Sequence, residues 1–232
     1  MPRVTLSANA GVSVDFAGKR IWIDALHERK LQGFSSVSQK QFSELLYHKD
    51  FQNPDVICYT HCHPDHYSKK MTMKALAIWP NAQVIVPEVK VEGWHKVTGD
   101  YWEMTLDDLK ISYIRLPHEG ETYANVIHYG IMLSNNDQHI FIPGDCRIGS
   151  VELAMAAKDV SVDLAIMDFP WISLTKARTF LDEYIRPKRI CVFHLPFAED
   201  DVIGYRAAAL AAKTRMGEHV CLLMEQFQTV EY

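Results

Sequence analysis

Residues 55–66 read Asp-Val-Ile-Cys-Tyr-Thr-His-Cys-His-Pro-Asp-His, a short apolar run that gives way directly to three imidazoles and a carboxylate. The first six residues are β-branched or aromatic in the main and follow Asn53-Pro54, a pair that stops a helix, so they predict a short buried strand. His61, His63, Asp65 and His66 then sit on the loop leaving the strand's C-terminal end. In an extended segment, residues two apart point the same way, which puts His61 beside His63, turns Cys62 away, and lets Asp65 and His66 face elsewhere.

Working outward, residues 38–50 have a polar start and apolar Phe42, Leu45 and Leu46 at helical spacing, and residues 70–78 also read as a helix. A strand at 82–87 completes a parallel strand-helix-strand unit with 55–60. Residues 4–26 read as two strands turning at Ala17-Gly18-Lys19. After the helical unit come strands at 105–117, 125–134 and 138–146, the last two flanking the turn Asn135-Asn136-Asp137. The remainder alternates: helix 151–159, strand 163–169, helix 175–185, strand 189–194, helix 201–216 and a final strand 220–232. Hairpins in front and alternating units behind predict an α/β protein with mixed sheets covered by helices. No repeated motif, low-complexity tract or linker interrupts the chain, so residues 1–232 are expected as one domain.

The strand ends carry a recurring chemistry. Asp24, the 61–66 cluster, His118, Asp145 and His194 all follow predicted strands, and all are His or Asp. Loops at a sheet edge are where functional groups are presented, and ligands from several strands form a rigid polydentate site. Imidazoles and carboxylates without an obligatory thiolate suit zinc, manganese or iron, and this set exceeds the needs of one tetrahedral ion. Two divalent ions are therefore expected.

Composition narrows the remaining classes. The 232 residues are 48% apolar and 23% charged, enough to bury a full core, which excludes a disordered chain. The net charge of -5 recruits neither nucleic acid nor an anionic membrane. No apolar run is long enough to cross a bilayer and no export signal opens the sequence, so a cytoplasmic location is expected. The five cysteines are scattered and read as reduced, mostly buried thiols, with Cys146 packing beneath the site. Among the other histidines, His27, His48, His95, His128, His139 and His219 read as structural or surface residues, and His128 falls inside a predicted strand. Lys69, Lys70 and Arg147 flank the cluster as solvated charges or anion holders; Phe169, Trp171 and Phe197 read as packing or as an aromatic pocket wall.

The motifs THCHPDH at 60–66, LPH at 116–118, PGD at 143–145 and VFH at 192–194 resemble, in order and separation, those of the metallo-β-lactamase-fold hydrolases. Within that group, the short His118-to-Asp145 interval and the run PGDCRIG resemble the ascorbate-phosphate lactonase branch. Tyr67-Ser68 stands where the glyoxalase-like branch carries glycines. The resemblance implies a four-layer αββα sandwich, two mixed sheets flanked by helices. It implies a first metal on His61, His63 and His118, a second on Asp65, His66 and His194, and Asp145 bridging both. Asp24 would support the metal loop by hydrogen bonds. The implied activity is hydrolysis of a small-molecule lactone, ester or phosphoester by a metal-bridging hydroxide, with Asp65 and Asp145 as catalytic carboxylates. Zinc is the first expectation for both ions, with manganese or iron as alternatives.

Competing readings are a phosphodiesterase or nuclease-like enzyme of the same fold, an iron oxidoreductase, and a metal-bound metabolite-binding protein without turnover. The expected partner is a small-molecule substrate, with edge strands and loops that leave room for a homo-oligomer.

Overall fold

The run 4–16 turns back on itself where a single strand is expected. In the computed structural model, which describes residues 1–232, β1 (Arg3–Ala8) and β2 (Gly11–Phe16) form a hairpin whose turn holds Asn9 at φ 50°. Asparagine visits this left-handed region more readily than most residues. Gly11 is obligatory for packing, because a Cβ there would lie 2.2 Å from Ser7 Oγ and 2.8 Å from the Asp24 carbonyl. The apolar alternation continues through the turn, so periodicity alone merges the two strands. β3 (Lys19–Ile23) follows the Ala17-Gly18 turn.

Helix α1 (Gln39–Tyr47) begins with a capping box: the Gln41 N–H donates to Ser38 Oγ, and the Ser38 N–H donates to Gln41 Oε1. Then come β4 (Val56–Cys58), α2 (Lys69–Ile78), β5 (Gln83–Pro87) and the unanticipated β6 (His95–Val97). β7 (Tyr101–Leu106) and β8 (Leu109–Arg115) are a hairpin with Asp107 left-handed in its turn. β9 (Tyr129–Ser134) starts after His128, which corrects the placement of that histidine inside a strand. β10 (His139–Ile142), α3 (Val151–Ala157) and β11 (Leu164–Asp168) follow, then α4 (Pro170–Ser173) and α5 (Thr175–Phe180), β12 (Arg189–Phe193) and α6 (Tyr205–Met216).

The expected last strand is two, β13 (Val220–Leu222) and β14 (Thr229–Glu231), in different sheets. Gln228 Oε1 accepts from the N–H groups of Met224 and Glu225, and Phe227 sits at φ 62°, so a side-chain-capped turn interrupts the apolar run.

The chain forms two compact units. The first, Met1–Val97 with His194–Ile203 and Leu223–Tyr232, holds the sheet β14-β1-β2-β3-β4-β5-β6. The second, Thr98–Phe193 with Gly204–Leu222, holds β13-β12-β11-β10-β9-β8-β7. Each seven-stranded sheet is mixed: antiparallel pairing on one side changes to parallel at β3-β4 in the first and at β10-β11 in the second. The parallel strands are buried on both faces, as Val56, Ile57, Cys58, Ala165, Ile166 and Met167 show.

Candidate metal centre

In the first unit, parallel pairing of Ile23 with Cys58 brings the ends of β3 and β4 to one edge, and the antiparallel pairing of Val12 with Ile23 brings the β1-β2 turn there too. Asp24, buried and at φ 50°, donates its N–H to the Cys58 carbonyl at 3.0 Å. Its carboxylate accepts from the Thr60 N–H at 2.8 Å, the Thr60 hydroxyl at 2.6 Å and His66 Nδ1 at 2.9 Å. These bonds settle two tautomers. His66 Nδ1 carries the proton it donates to Asp24, and His61 Nδ1 must donate to Thr60 Oγ1, 3.0 Å away, because that hydroxyl's own proton is already given to Asp24. In each neutral ring Nε2 then bears the lone pair that a metal requires, the arrangement outer-layer partners impose on ligating histidines.

The His66 and Tyr67 N–H groups both donate to the His63 carbonyl at 2.9 Å, so the chain makes a tight turn just after His63. The His61 and His63 rings have centroids 4.5 Å apart, and the turn brings the His66 ring to 4.1 Å from that of His61. Asp65, His66 and His194 offer ligand atoms that all lie within 4.8 Å of one another, and the Asp65 carboxylate stands 3.9 Å from His66 Nε2. Donors this close could converge on one ion, whose bonds to such ligands are about 2 Å. One oxygen and two imidazole nitrogens, two of the three residues fully or nearly buried, make a donor set suited to zinc, manganese or iron. Asp24 performs the supporting role expected of it.

Asn9 was not legible as part of this arrangement. Its carbonyl accepts the His194 N–H at 2.9 Å, its side-chain amide donates to the Asp65 carbonyl at 3.4 Å, and His194 itself sits at φ 56°. Asn9 falls in register with the other polar residues of the alternating run, Thr5, Ser7 and Ser13, so nothing in the sequence marks it out. His27, expected to be structural or surface, is fully buried; its Nδ1 donates to the Asp24 carbonyl at 3.0 Å. Burial, reinforced by the nearby His66 and His194 and partly offset by the Asp24 hydrogen bond and by Asp65, lowers its pKa to about 4.

The second unit builds a smaller constellation in the same way. β8 and β10 each pair antiparallel with β9 and so run in the same direction, ending at one edge. There His118 bridges to Cys146, the Arg147 N–H donates to the Pro117 carbonyl at 2.7 Å, and the Glu119 N–H donates to the Asp145 carbonyl at 2.8 Å. His118 Nδ1 donates to the Glu119 carbonyl at 2.7 Å, and its Nε2 lies 3.8 Å from the Asp145 carboxylate. The two predicted ligands of this unit are thus side by side, with the histidine again presenting Nε2.

No cysteine is among the clustered donor groups. Burial pushes the Cys146 thiol well above its ordinary value, and Cys62, raised to about 12 by burial, donates to the Pro87 carbonyl at 3.2 Å, away from its neighbours His61 and His63. Trp171 and Phe197 are buried packing residues, and Phe169 packs 6.0 Å from Tyr205. Lys69, Lys70 and Arg147 are exposed, with Lys70 3.7 Å from Glu28. His128 is buried with Nδ1 on the Leu116 carbonyl; His48 stacks on Phe227; His139 bonds Ser134 and His95 bonds Gln83.

Solved structures share this architecture. The isothiocyanate hydrolase from Delia radicum gut bacteria aligns with a TM-score of 0.69 at 16% identity, over 99% of this chain and 98% of its own. Igni18, a metallo hydrolase from the archaeon Ignicoccus hospitalis, aligns at 0.66 and 11% identity, over 100% and 99%. The metallo-β-lactamase fold protein YhfI from Bacillus subtilis aligns at 0.64 and 13%, over 99% of both chains. No protein-family model and no curated protein matches the sequence. At such identities the likeness establishes the fold: the chain has the metallo-β-lactamase fold, α/β with two mixed sheets, the class that the order of its motifs implies.

Proposed function

We propose that the protein is a dinuclear metal-dependent hydrolase of a small-molecule lactone, ester or phosphoester. The observation that carries the reading is the Asp65, His66 and His194 group, with His66 locked by Asp24 so that Nε2 is the metal-facing atom. In this reading His61, His63 and His118 would hold a first ion and Asp65, His66 and His194 a second, with Asp145 as a further ligand. Zinc is the favoured metal for this donor set, with manganese and iron its competitors. When bound, such ions supply Lewis acidity, activating water at neutral pH and polarising the oxygen of the scissile bond. The chain's own contribution is to hold the ligands in place. Asp24 fixes the His66 tautomer, Thr60 fixes that of His61, and Asn9 braces the Asp65 and His194 backbones. Asp65 and Asp145 are the carboxylates placed to orient a reacting water or take its proton.

The names of two structural neighbours, a metallo hydrolase and an isothiocyanate hydrolase, support hydrolysis as the reaction class. The nuclease-like reading draws no support from the charges expected to hold a phosphate backbone, since Lys70 stands beside Glu28 and the chain is net acidic. No helix is long and apolar enough to cross a membrane. Five cysteines without a disulfide fit a reducing compartment, and we place the protein in the cytoplasm.

The test is a panel of p-nitrophenyl esters, lactones and phosphodiesters offered to metal-loaded protein and to a His63→Ala variant. Saturable turnover that the variant loses by at least about a hundredfold is expected. Turnover equal in both, or none from the wild type on any substrate, contradicts the hydrolase.

A further inference from the structure

Residues 27–37 form a closed loop beside the second-ion ligands, and one hydrogen bond, from the Val37 N–H to the His27 carbonyl at 3.2 Å, ties its ends. Compact loops of this kind, with their ends together, are frequently functional. This one is stapled to the segment that follows His194. Ser35, buried, accepts the Phe197 N–H at 2.8 Å and donates to Asp200 Oδ2 at 2.8 Å, and Lys30 pairs with the other Asp200 oxygen. Ile203 packs so closely over Gly33 that a Cβ there would lie 2.7 Å from its Cδ1. The residue this clasp presents to the ligands is Phe34, half-buried, its ring edge-on to His194 with centroids 4.9 Å apart.

The segment stapled to the Phe34 loop ends in exposed aliphatic residues. Ile203 and Val202 are 56% and 71% exposed, a large aliphatic surface on the segment stapled to the Phe34 loop. Lys30 is engaged by Asp200, and the cleft of about 450 Å³ that it borders carries Lys30 and Lys40 against Glu44, Glu199 and Asp200. An anionic group entering that cleft would meet more negative than positive charge. A neutral hydrocarbon group would bury against the ring and exclude water.

We propose that Phe34 is a specificity-determining residue and that the substrate carries a neutral alkyl or aryl group, held against this ring, on the side of the scissile bond nearest His194. The assignment rests on the hydrolase reading for its chemistry but not for its binding, and the experiment separates the two.

Metal-loaded full-length protein, wild type, Phe34→Ala and Phe34→Leu, is titrated with hexanoate, acetate and inorganic phosphate by calorimetry, with bound metal quantified in each. Wild type is expected to bind hexanoate at least tenfold more tightly than acetate, in line with roughly tenfold or more per methylene-sized contact in an apolar pocket. Phe34→Ala should remove most of that difference by weakening hexanoate alone, Phe34→Leu should restore part of it, and metal content should be unchanged. A wild type without preference for hexanoate over acetate, one that binds phosphate best, or a Phe34→Ala variant that weakens both carboxylates alike would overturn the proposal. Turnover of p-nitrophenyl hexanoate is measured in parallel. If hexanoate binding depends on Phe34 but no ester is cleaved, the hydrolase reading fails while the pocket assignment stands.

Discussion

Asp24 receives three donors on one carboxylate, from the Thr60 backbone, the Thr60 hydroxyl and His66 Nδ1, so a single side chain sets the orientation of two imidazoles. Replacing it with alanine frees the His66 ring to rotate and to change tautomer. Asp24→Ala is expected to lower metal affinity by about 10–100-fold, the usual effect of losing such a partner. Competition against a chelating dye reads this directly, with far-ultraviolet circular dichroism confirming that the variant is folded. His27 yields a prediction of opposite character. It is neutral in the fold because its pKa is lowered to about 4, while in the unfolded chain it titrates at the ordinary 6.5. Between these values the unfolded state binds the extra proton, so stability is full above pH 6.5 and is lost as pH falls towards 4, by on the order of 3 kcal/mol. Urea unfolding of metal-free protein across that range should show this acid limb, and His27→Gln should flatten it. The proposed ligands stand out in the sequence because each follows an apolar strand. His27 and Asn9 do not, because what makes them part of the site is burial and hydrogen bonding to residues distant in sequence.

At the scale of elements, the β1-β2 turn joins fold to site, since Asn9 both closes the hairpin and braces the Asp65 and His194 loops. Asn9→Gly keeps the left-handed backbone and loses only the side-chain contact. Asn9→Ala should in addition strain the turn, costing about 1–2 kcal/mol more than the glycine variant. Thermal melts of the two variants side by side separate strain from contact. At the other end of the chain, β14 covers the edge of β1, pairing Val4 with Val230 and Thr5 with Thr229. Removing residues 223–232 bares that edge and deletes the buried Leu223, so the truncated protein is expected to melt lower and to scatter light on standing. These two regions are also where strand reading failed. Alternating apolar residues run through both turns, and period-two hydrophobicity carries no information about where a left-handed residue or a capped turn reverses the chain.

Over the whole molecule, the two units repeat one plan that no motif in the sequence repeats. Each sheet passes through three antiparallel pairings and then three parallel ones, and each delivers His and Asp from strand ends. Burial on both faces constrains hydrophobicity and volume far more than identity, so the likeness of plan survives where the residues differ. The class of fold was legible from the order of the histidine motifs. Seven strands in each sheet and the separation of β13 from β14 were not, since pairing partners are set by tertiary contacts. The central claim for the molecule is that these ligands hold two ions, and the direct test is elemental analysis of protein purified without chelators, wild type beside His194→Ala. Two equivalents of zinc, manganese or iron in the wild type, falling towards one in the variant, is the predicted result. Metal-free wild type, or a His194→Ala variant with the same metal content as the wild type, would contradict it.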